Sequence, residues 1–558
     1  MAGVRSFWGW GVEERHAEGD ALRKLAERLA STLGAKVSPR PLPSLDAIEL
    51  AEPRFSPPVE LRAFGTTDKR ERVLHARGKS YPDQVRGFRG DFASAPDWVF
   101  SPTTEEQISL LFRFCAAESV ALVPYGGGTS VVGGVEHVAQ GRFRGTACVD
   151  MSRMDRVLEV DVASRAARVQ AGAMGPGLAA QLAPHGLTLR HFPQSFEFST
   201  VGGWIATRAG GHYATLHTRI DDFVEAVRMV SPAGVVETRR LPASGAGPTA
   251  EAVVLGSEGA LGIITEAWLR VQARPKWRSS ASVTFSKLED AVLTAQALAQ
   301  SDLYPSNCRV LDPAEAMLHK VGDGGAVLLL AFESADHPVE PWMERALSIA
   351  SDAGGREEEP TYTTDPVYSV RPAHLTSRPP LSQPPRSSSA PPASSRDAEL
   401  AATWKEAFFE APYLQSALVR LGAVCDTFET ACTWQAFPAL HAAITEAVQG
   451  AMQRVCGGGV LSMRFTHVYP DGPAPYYTFI APGREGAEIE QWEAIKSAAS
   501  EAILSAGGTI THHHAVGRTH LPWADKERSP LFGRALAAVK SELDPSGILN
   551  PGCLVRAK

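Results

Sequence analysis

The chain has 558 residues, 44% hydrophobic and 21% charged, with a formal net charge of −7. This composition excludes a disordered or fibrous chain, and the acidic balance excludes a general pull toward nucleic acid, so an anionic ligand must be held by a local cluster of cations. The length exceeds what one core can hold, and two or three domains are expected.

The start, MAGVRSFWGWG, lacks the basic stretch and long apolar run of a signal peptide, and no run of about 18 apolar residues follows anywhere. A cytoplasmic protein is the expectation, with peripheral contact at a membrane left open. Residues 1–90 read as a helical leader. Its clear helix is ALRKLAERLASTLG, where Leu22, Leu25, Leu29 and Leu33 recur at helical spacing before Gly34.

From Pro96 the texture changes to short alternating elements. Thr103 and Glu106 have capping-box spacing ahead of QISLLFRFCAAE, and ALVPYGGGTS runs as a strand into a glycine loop. GTACVDM, RVLEVDV and RAARVQAGA read as strands and GPGLAAQLAPHG as a short helix. FPQSFEFS then introduces TVGGWIATRAGG, Thr200 to Gly211, whose Gly202 and Gly203 precede a short apolar run. That run predicts a helix start, where free N–H groups and the helix dipole suit a pyrophosphate. A third glycine loop, GSEGALGIITE, leads into a strand of period-two alternation.

Residues 91–275 therefore read as an α/β layout with three glycine loops. Glycine is kept where the backbone needs positive φ or comes close to a ligand, so the loops predict a cofactor cradle. Neither a P-loop nor the GxGxxG spacing is present, and a different fold must hold the cofactor.

Residues 276–500 carry longer segments and read as a cap domain over the cofactor's reactive face. They are interrupted by TSRPPLSQPPRSSSAPPASSR, Thr376 to Arg396, whose composition predicts a disordered surface loop. PSNCRVLD sets Arg309 among apolar neighbours, where a guanidinium needs an anion, either a carboxylate or a ligand phosphate. RFTHVYPDGPAPYYTF places Arg464, Tyr469, Tyr476 and Tyr477 on two strands about a Pro/Gly turn, and strand tyrosines are by default packing. A helix from Ala487 to Ser505 ends at Gly507 and Gly508.

The segment 501–558 contains TITHHHAVGRTHLPW and closes on LDPSGILNPG. On a strand His512, His513 and His514 would alternate faces, so at most two would serve one site. No Cys or carboxylate at ligand spacing argues for a metal, whereas imidazoles exchange protons near neutral pH. The seven cysteines, Cys115, Cys148, Cys308, Cys425, Cys432, Cys456 and Cys553, form no CxxC pair and are odd in number, which predicts free thiols. No internal repeat is visible.

Together PYGGGTS, FPQSFEFSTVGGWIATRAGG, GSEGALGIITEA and THHHAVG resemble the alkylglycerone-phosphate synthase (alkyl-dihydroxyacetonephosphate synthase) family within the vanillyl-alcohol-oxidase type of FAD proteins. The likeness runs from the GWG near Trp10 to the final DPSGILNPG. It implies an α+β fold: a two-subdomain FAD-binding domain, a cap with an antiparallel sheet, and a C-terminal segment that returns to the flavin. It also implies exchange of the acyl group of acyl-dihydroxyacetone phosphate for a fatty alcohol in ether-lipid synthesis, by a homodimer.

Carried over by motif, Tyr476 is the acid/base, His512, His513 and His514 line the reacting centre, and Arg309 is a functional arginine of the cap. The first loop would bring Pro124, Tyr125, Gly126, Gly127, Gly128, Thr129 and Ser130 to FAD. The second stretch would bring Pro193, Gln194, Ser195, Ser199, Thr200, Gly202 and Gly203, followed by Thr207, Arg208, Ala209 and Gly210. The third would bring Glu258, Gly259, Leu261, Gly262, Ile263 and Ile264. No histidine stands in the first loop, where some relatives tether the flavin, so non-covalent FAD is expected.

One departure matters. The family has an arginine ahead of FET where this chain has Gln415, a neutral group at the substrate-binding position. Either Arg420 or Lys405 compensates or the chemistry is weakened. Two other readings share the fold: an FAD-dependent 2-hydroxy acid dehydrogenase of D-lactate or glycolate type, and a flavin-binding protein without catalysis. The dehydrogenases carry a Glu-His-Gly run where this chain has His513, His514 and Ala515, which favours the synthase.

Overall fold

A computed structural model describes residues 3–556 apart from 36, 139–140, 320, 323, 358 and 365–409. The Pro/Ser-rich stretch Thr376 to Arg396 and Lys405 lie outside the described residues.

Two sheets build the first half. In one, Trp98–Phe100, Gly145–Asp150 and Val120–Tyr125 run parallel, and Gly65–Thr66 joins antiparallel at the edge. Val120–Tyr125 and Gly145–Asp150 are buried almost throughout, as befits parallel strands covered on both faces. The helix Glu105–Glu118 connects two of these strands and buries Ile108, Leu111, Phe112 and Cys115, one stripe at helical spacing. Its cap is Thr104, whose hydroxyl accepts from the Gln107 amide, one residue later than the capping pattern suggests. The Thr103 amide instead donates to the Gln107 side chain.

The second sheet is antiparallel, in the order Val157–Asp161, Ala166–Gln170, Ile263–Arg270, Val224–Ser231, Gly234–Glu237. Against it packs the short helix Val201–Thr207 through Val201, Trp204 and Ile205.

The cap is built on one antiparallel sheet. Trp277–Phe285, Ala326–Ser334, Asn307–Leu311, Val460–Val468, Pro473–Pro482 and Ala423–Glu429 follow one another across it. The helices Phe437–Cys456 and Glu488–Ser505 pack on this sheet.

The first 90 residues, read as a helical leader, pack into both halves of the structure. Phe7, Trp8, Leu22, Ala26 and Leu29 share one apolar core with cap residues such as Phe428 and Trp492, while Gly65–Thr66 belongs to the first sheet. The helix Gly19–Leu33 forms where leucine spacing predicts it, with Gly34 at φ +61° ending it. An apolar stripe says that a helix is covered, not by what.

The C-terminal segment returns to the first half through backbone bonds. The Leu122 amide donates to Ile548 O and the Asn550 amide to Leu122 O, each at 2.8 Å. The buried Glu258 carboxylate accepts from the amides of Val516 at 2.9 Å and Gly517 at 2.7 Å. These bonds carry His512, His513 and His514 to the junction of cap and glycine loops. All seven cysteines are free. Among the described residues no helix is long and apolar enough to cross a membrane.

Candidate functional site

The three glycine loops meet along one cleft. A cavity of about 310 Å³ is bordered by Gly126–Ser130, Pro193, Gln194, Ser195, Ser199, Thr200, Gly203, Thr207, Ala209 and Gly210. A narrower one of about 100 Å³ adds Pro124, Tyr125, Gly202, Glu258, Gly259, Gly262, Ile263 and Ile264. The two share Gly126, Ser130, Thr200, Gly203 and Thr207.

Two sequence expectations change here. Arg208 and Leu261 border neither cavity: Arg208 pairs with Asp221 at 2.6 Å, and Leu261 is fully buried in the core under the second sheet. The helix start at Val201 does not offer free N–H groups either. Its first amides are taken by the protein, Val201 by Ala173 O, Gly202 by Ala171 O and Gly203 by the Thr200 hydroxyl. The first glycine loop keeps its donors instead. Among the described residues, none accepts from the amides of Gly127, Gly128, Thr129 or Ser130.

That loop is fixed by contact. A Cβ at Gly127 would stand 1.5 Å from Phe198 O, and Gly128, at φ +67°, lies against the Tyr125 ring. A run of unspent amides along the cleft fits a dinucleotide's phosphates.

Register in the cap sheet places the chemistry. Glu429 stands opposite Tyr476, and Tyr476 opposite Arg464, so three polar side chains share one rung and one face. The Arg464 guanidinium lies 4.2 Å from the Tyr476 ring centroid, and the Tyr476 hydroxyl donates to Thr427 Oγ1 at 2.8 Å. Burial pushes the Tyr476 phenol upward in pKa, so it stays protonated at neutral pH. Tyr477 points to the other face and stacks on Phe428 in the core. Alternation along the strand thus separates the two tyrosines that sequence left side by side.

Residues 512–514 are not a strand but a sharp bend, and Glu429 is its centre. The amides of His512, His513 and His514 donate to its carboxylate at 3.0, 2.9 and 2.8 Å, and the Thr511 hydroxyl donates at 2.8 Å. His513 Nδ1 lies 2.7 Å from Glu429 Oε2. Burial opposes ionisation of Glu429, but His513, His514 and His512 together hold it well below the usual carboxylate range.

His513 and His514 face the cavity, whereas His512 turns away to the Tyr469 hydroxyl at 2.8 Å. Burial lowers His512 and His514 to about 3, so both are neutral. His467, His512 and His513 bring nitrogens within 4.8 Å of one another, yet these rings are engaged with Gly211 O, Tyr469 and Glu429.

Arg309 borders the cavity, fully buried, with Nη2 donating to His212 O and lying 3.1 Å from His212 Nδ1. Burial and then the neighbouring Arg464 lower it to about 9. Arg464 itself is bonded to Glu315, which burial alone would keep neutral and Arg464 brings down to about 2.

Gln415 also borders the cavity, its Oε1 accepting from Gln84 Nε2 at 3.0 Å. Arg420 does not join it, bonding instead to the backbone at Arg40 and Ala17. Sequence reasoning missed Glu429, His467, Trp10 and Lys79. Glu429 left one trace, an acid closing the apolar strand AVCDTFE.

Residues 96–239 match the FAD binding domain family, and residues 274–365 and 381–554 match the family of FAD linked oxidases, C-terminal domain. Alkyldihydroxyacetonephosphate synthase of Dictyostelium discoideum is 30% identical over 96% of this chain and 87% of its own length. A mitochondrial cytochrome-type D-lactate dehydrogenase of Arabidopsis thaliana is 28% identical over 88% of this chain and 77% of its own. A solved structure of an alkyldihydroxyacetonephosphate synthase superposes with a TM-score of 0.77 at 25% identity, covering 98% of each chain.

Proposed function

The chain belongs to the alkyldihydroxyacetonephosphate synthase family of FAD-dependent enzymes, and from that premise we infer that it exchanges the acyl group of acyl-dihydroxyacetone phosphate for a fatty alcohol in ether-lipid synthesis. One observation supports the assignment of roles most strongly: Tyr476 and Arg464, from one rung of the cap sheet, and His513 and His514, from the bend that Glu429 holds, border the same cavity as the glycine loop Gly126–Ser130.

FAD is the cofactor, held non-covalently. The loop amides from Gly127 to Ser130 would hold its phosphates, with Ser199, Thr200 and Thr207 along the cleft. When bound, it supplies the reactive isoalloxazine ring.

The protein's own share is to orient substrate, exclude water and move protons. Glu429 fixes His513 through Nδ1, leaving Nε2 to take the alcohol's proton. Tyr476, a protonated phenol at the same wall, is the group to return a proton as the fatty acid leaves. The cationic side chains at the cavity, Arg309 among them, favour a phosphorylated substrate over a neutral one.

The same reading extends to how lipid reaches the site. Leu318 and Leu414 border the cavity and are also solvent-exposed, at 42% and 37%. They suit a mouth that meets a membrane peripherally from the cytoplasm, by a homodimer. Vesicle co-sedimentation and light scattering test the two points.

The deciding experiment incubates the FAD-loaded enzyme with palmitoyl-dihydroxyacetone phosphate and labelled hexadecanol and reads products by mass spectrometry. Labelled ether product is expected. Flavin bleaching by D-lactate or D-glycolate without any alkyl transfer would instead establish the dehydrogenase reading.

A further inference from the structure

Lys79 is a buried cation whose charge no carboxylate matches. It is 5% exposed and borders the larger cavity beside Trp10, Gly127 and Gln415. Its ammonium donates to Ser6 O at 3.3 Å, and Asp83 acts on it only as a nearby charge, not through a side-chain bond. Its charged surroundings are mainly repulsive: Arg5, which donates to Gly127 O, and Arg77 lie near, with Asp83 the one acid close by. The Asp83 carboxylate is already committed to the Ser80 amide and hydroxyl. Desolvation first, and Arg5 next, lower Lys79 to about 7. A lysine so placed destabilises the empty fold unless an anion comes to it.

Gln84 joins the Lys79 backbone to the Gln415 side chain. One amide group, Gln84 Nε2, donates both to Lys79 O at 3.2 Å and to Gln415 Oε1 at 3.0 Å. The Lys79 backbone therefore sits across a single side chain from Gln415, a neutral group at the cavity wall. It borders the larger cavity, where the cap contributes Gln415, Leu418 and Arg309, and not the narrower cleft of the third glycine loop.

We propose that Lys79 binds the phosphate monoester of the substrate, taking over the charge that Gln415 lacks. The proposal rests on the synthase reading and deepens it. The ammonium would exchange a weak carbonyl contact for a charged hydrogen bond to a phosphate oxygen, a change of roughly 10–100-fold in affinity.

The test titrates dihydroxyacetone phosphate into FAD-loaded wild type and K79M, reading the flavin absorbance change, with FAD affinity measured separately by fluorescence. K79M is expected to weaken dihydroxyacetone phosphate by about 10-fold or more, to leave FAD affinity within about twofold, and to melt no lower than wild type when ligand-free. Adding Q415R to K79M should restore much of the lost affinity, and K79R should keep most of it. K79Q, read the same way, replaces K79M if that variant does not fold.

Unchanged dihydroxyacetone phosphate binding in K79M, or a loss of FAD affinity in its place, overturns the assignment of Lys79 alone. A wild type that gives no response to dihydroxyacetone phosphate overturns the synthase reading and this proposal with it.

Discussion

Glu429, on a strand of the cap sheet, and His513, in the C-terminal segment, meet with Nδ1 2.7 Å from Oε2, in a spot where Glu429 is 2% exposed. The carboxylate does two things at once. It gathers three consecutive amides into a bend, and it fixes one imidazole's proton on the side away from the cavity.

Replacing Glu429 by Gln should therefore damage both shape and chemistry. The amide nitrogen of Gln would face backbone donors, costing about 3 kcal/mol in stability, and alkyl transfer should fall by roughly 10²–10⁴-fold. Thermal melting and turnover on one preparation check it; full turnover would remove Glu429 from the mechanism.

Tyr476→Phe makes a narrower prediction. The ring stays packed beneath Arg464 and only the hydroxyl to Thr427 is lost, so stability should change by about 1 kcal/mol while turnover drops by roughly 10²-fold or more. Flavin content should match wild type. Turnover within a factor of about three would make this tyrosine a packing residue.

Acid should unfold the protein early. His512 and His514 are lowered to about 3 and His520 to about 4, all by burial first. Below the unfolded histidine pKa, near 6.5, the unfolded chain binds protons that the folded one refuses. Stability is fully present above that value and is lost as pH falls from about 6.5 toward 3 for His512 and His514 and toward 4 for His520, by at most about 2 kcal/mol per histidine at pH 5. Melting curves at pH 7.5, 6 and 5 should show a progressive fall, and a flat profile would contradict burial of these imidazoles.

Gly127→Ala should give colourless protein. The new methyl would collide with Phe198 O at 1.5 Å and push the amide-rich loop out of line. The absorbance ratio at 450 and 280 nm after soaking with FAD should fall several-fold, and a fully yellow variant would place the phosphates elsewhere.

The boundaries of elements were largely legible because local chemistry sets them. Leucine spacing and Gly34 marked the helix that runs Gly19–Leu33, and alternation in LGIITEAWLRVQA marked a strand that the structure divides into Ile263–Arg270 and Gln272–Ala273. The glycine loops likewise announced a cradle, since positive φ and close backbone approach leave glycine as the residue of choice. The sequence also pointed to Tyr476 and the histidine triplet, by their resemblance to a family.

What tertiary structure alone decided was partnership. The expected helix-start amides are taken up by Ala173 and Ala171, and the unspent amides lie instead in the first glycine loop, Gly127–Ser130. Arg208 went to Asp221 and Leu261 to the core. Glu429, Lys79 and Gln84 reach the site from three distant stretches of chain, and the bonds that join them run between residues far apart in sequence. Periodicity and turn chemistry act over a few residues, whereas the protonation of a buried group depends on whichever strangers the fold brings within about 4 Å of it.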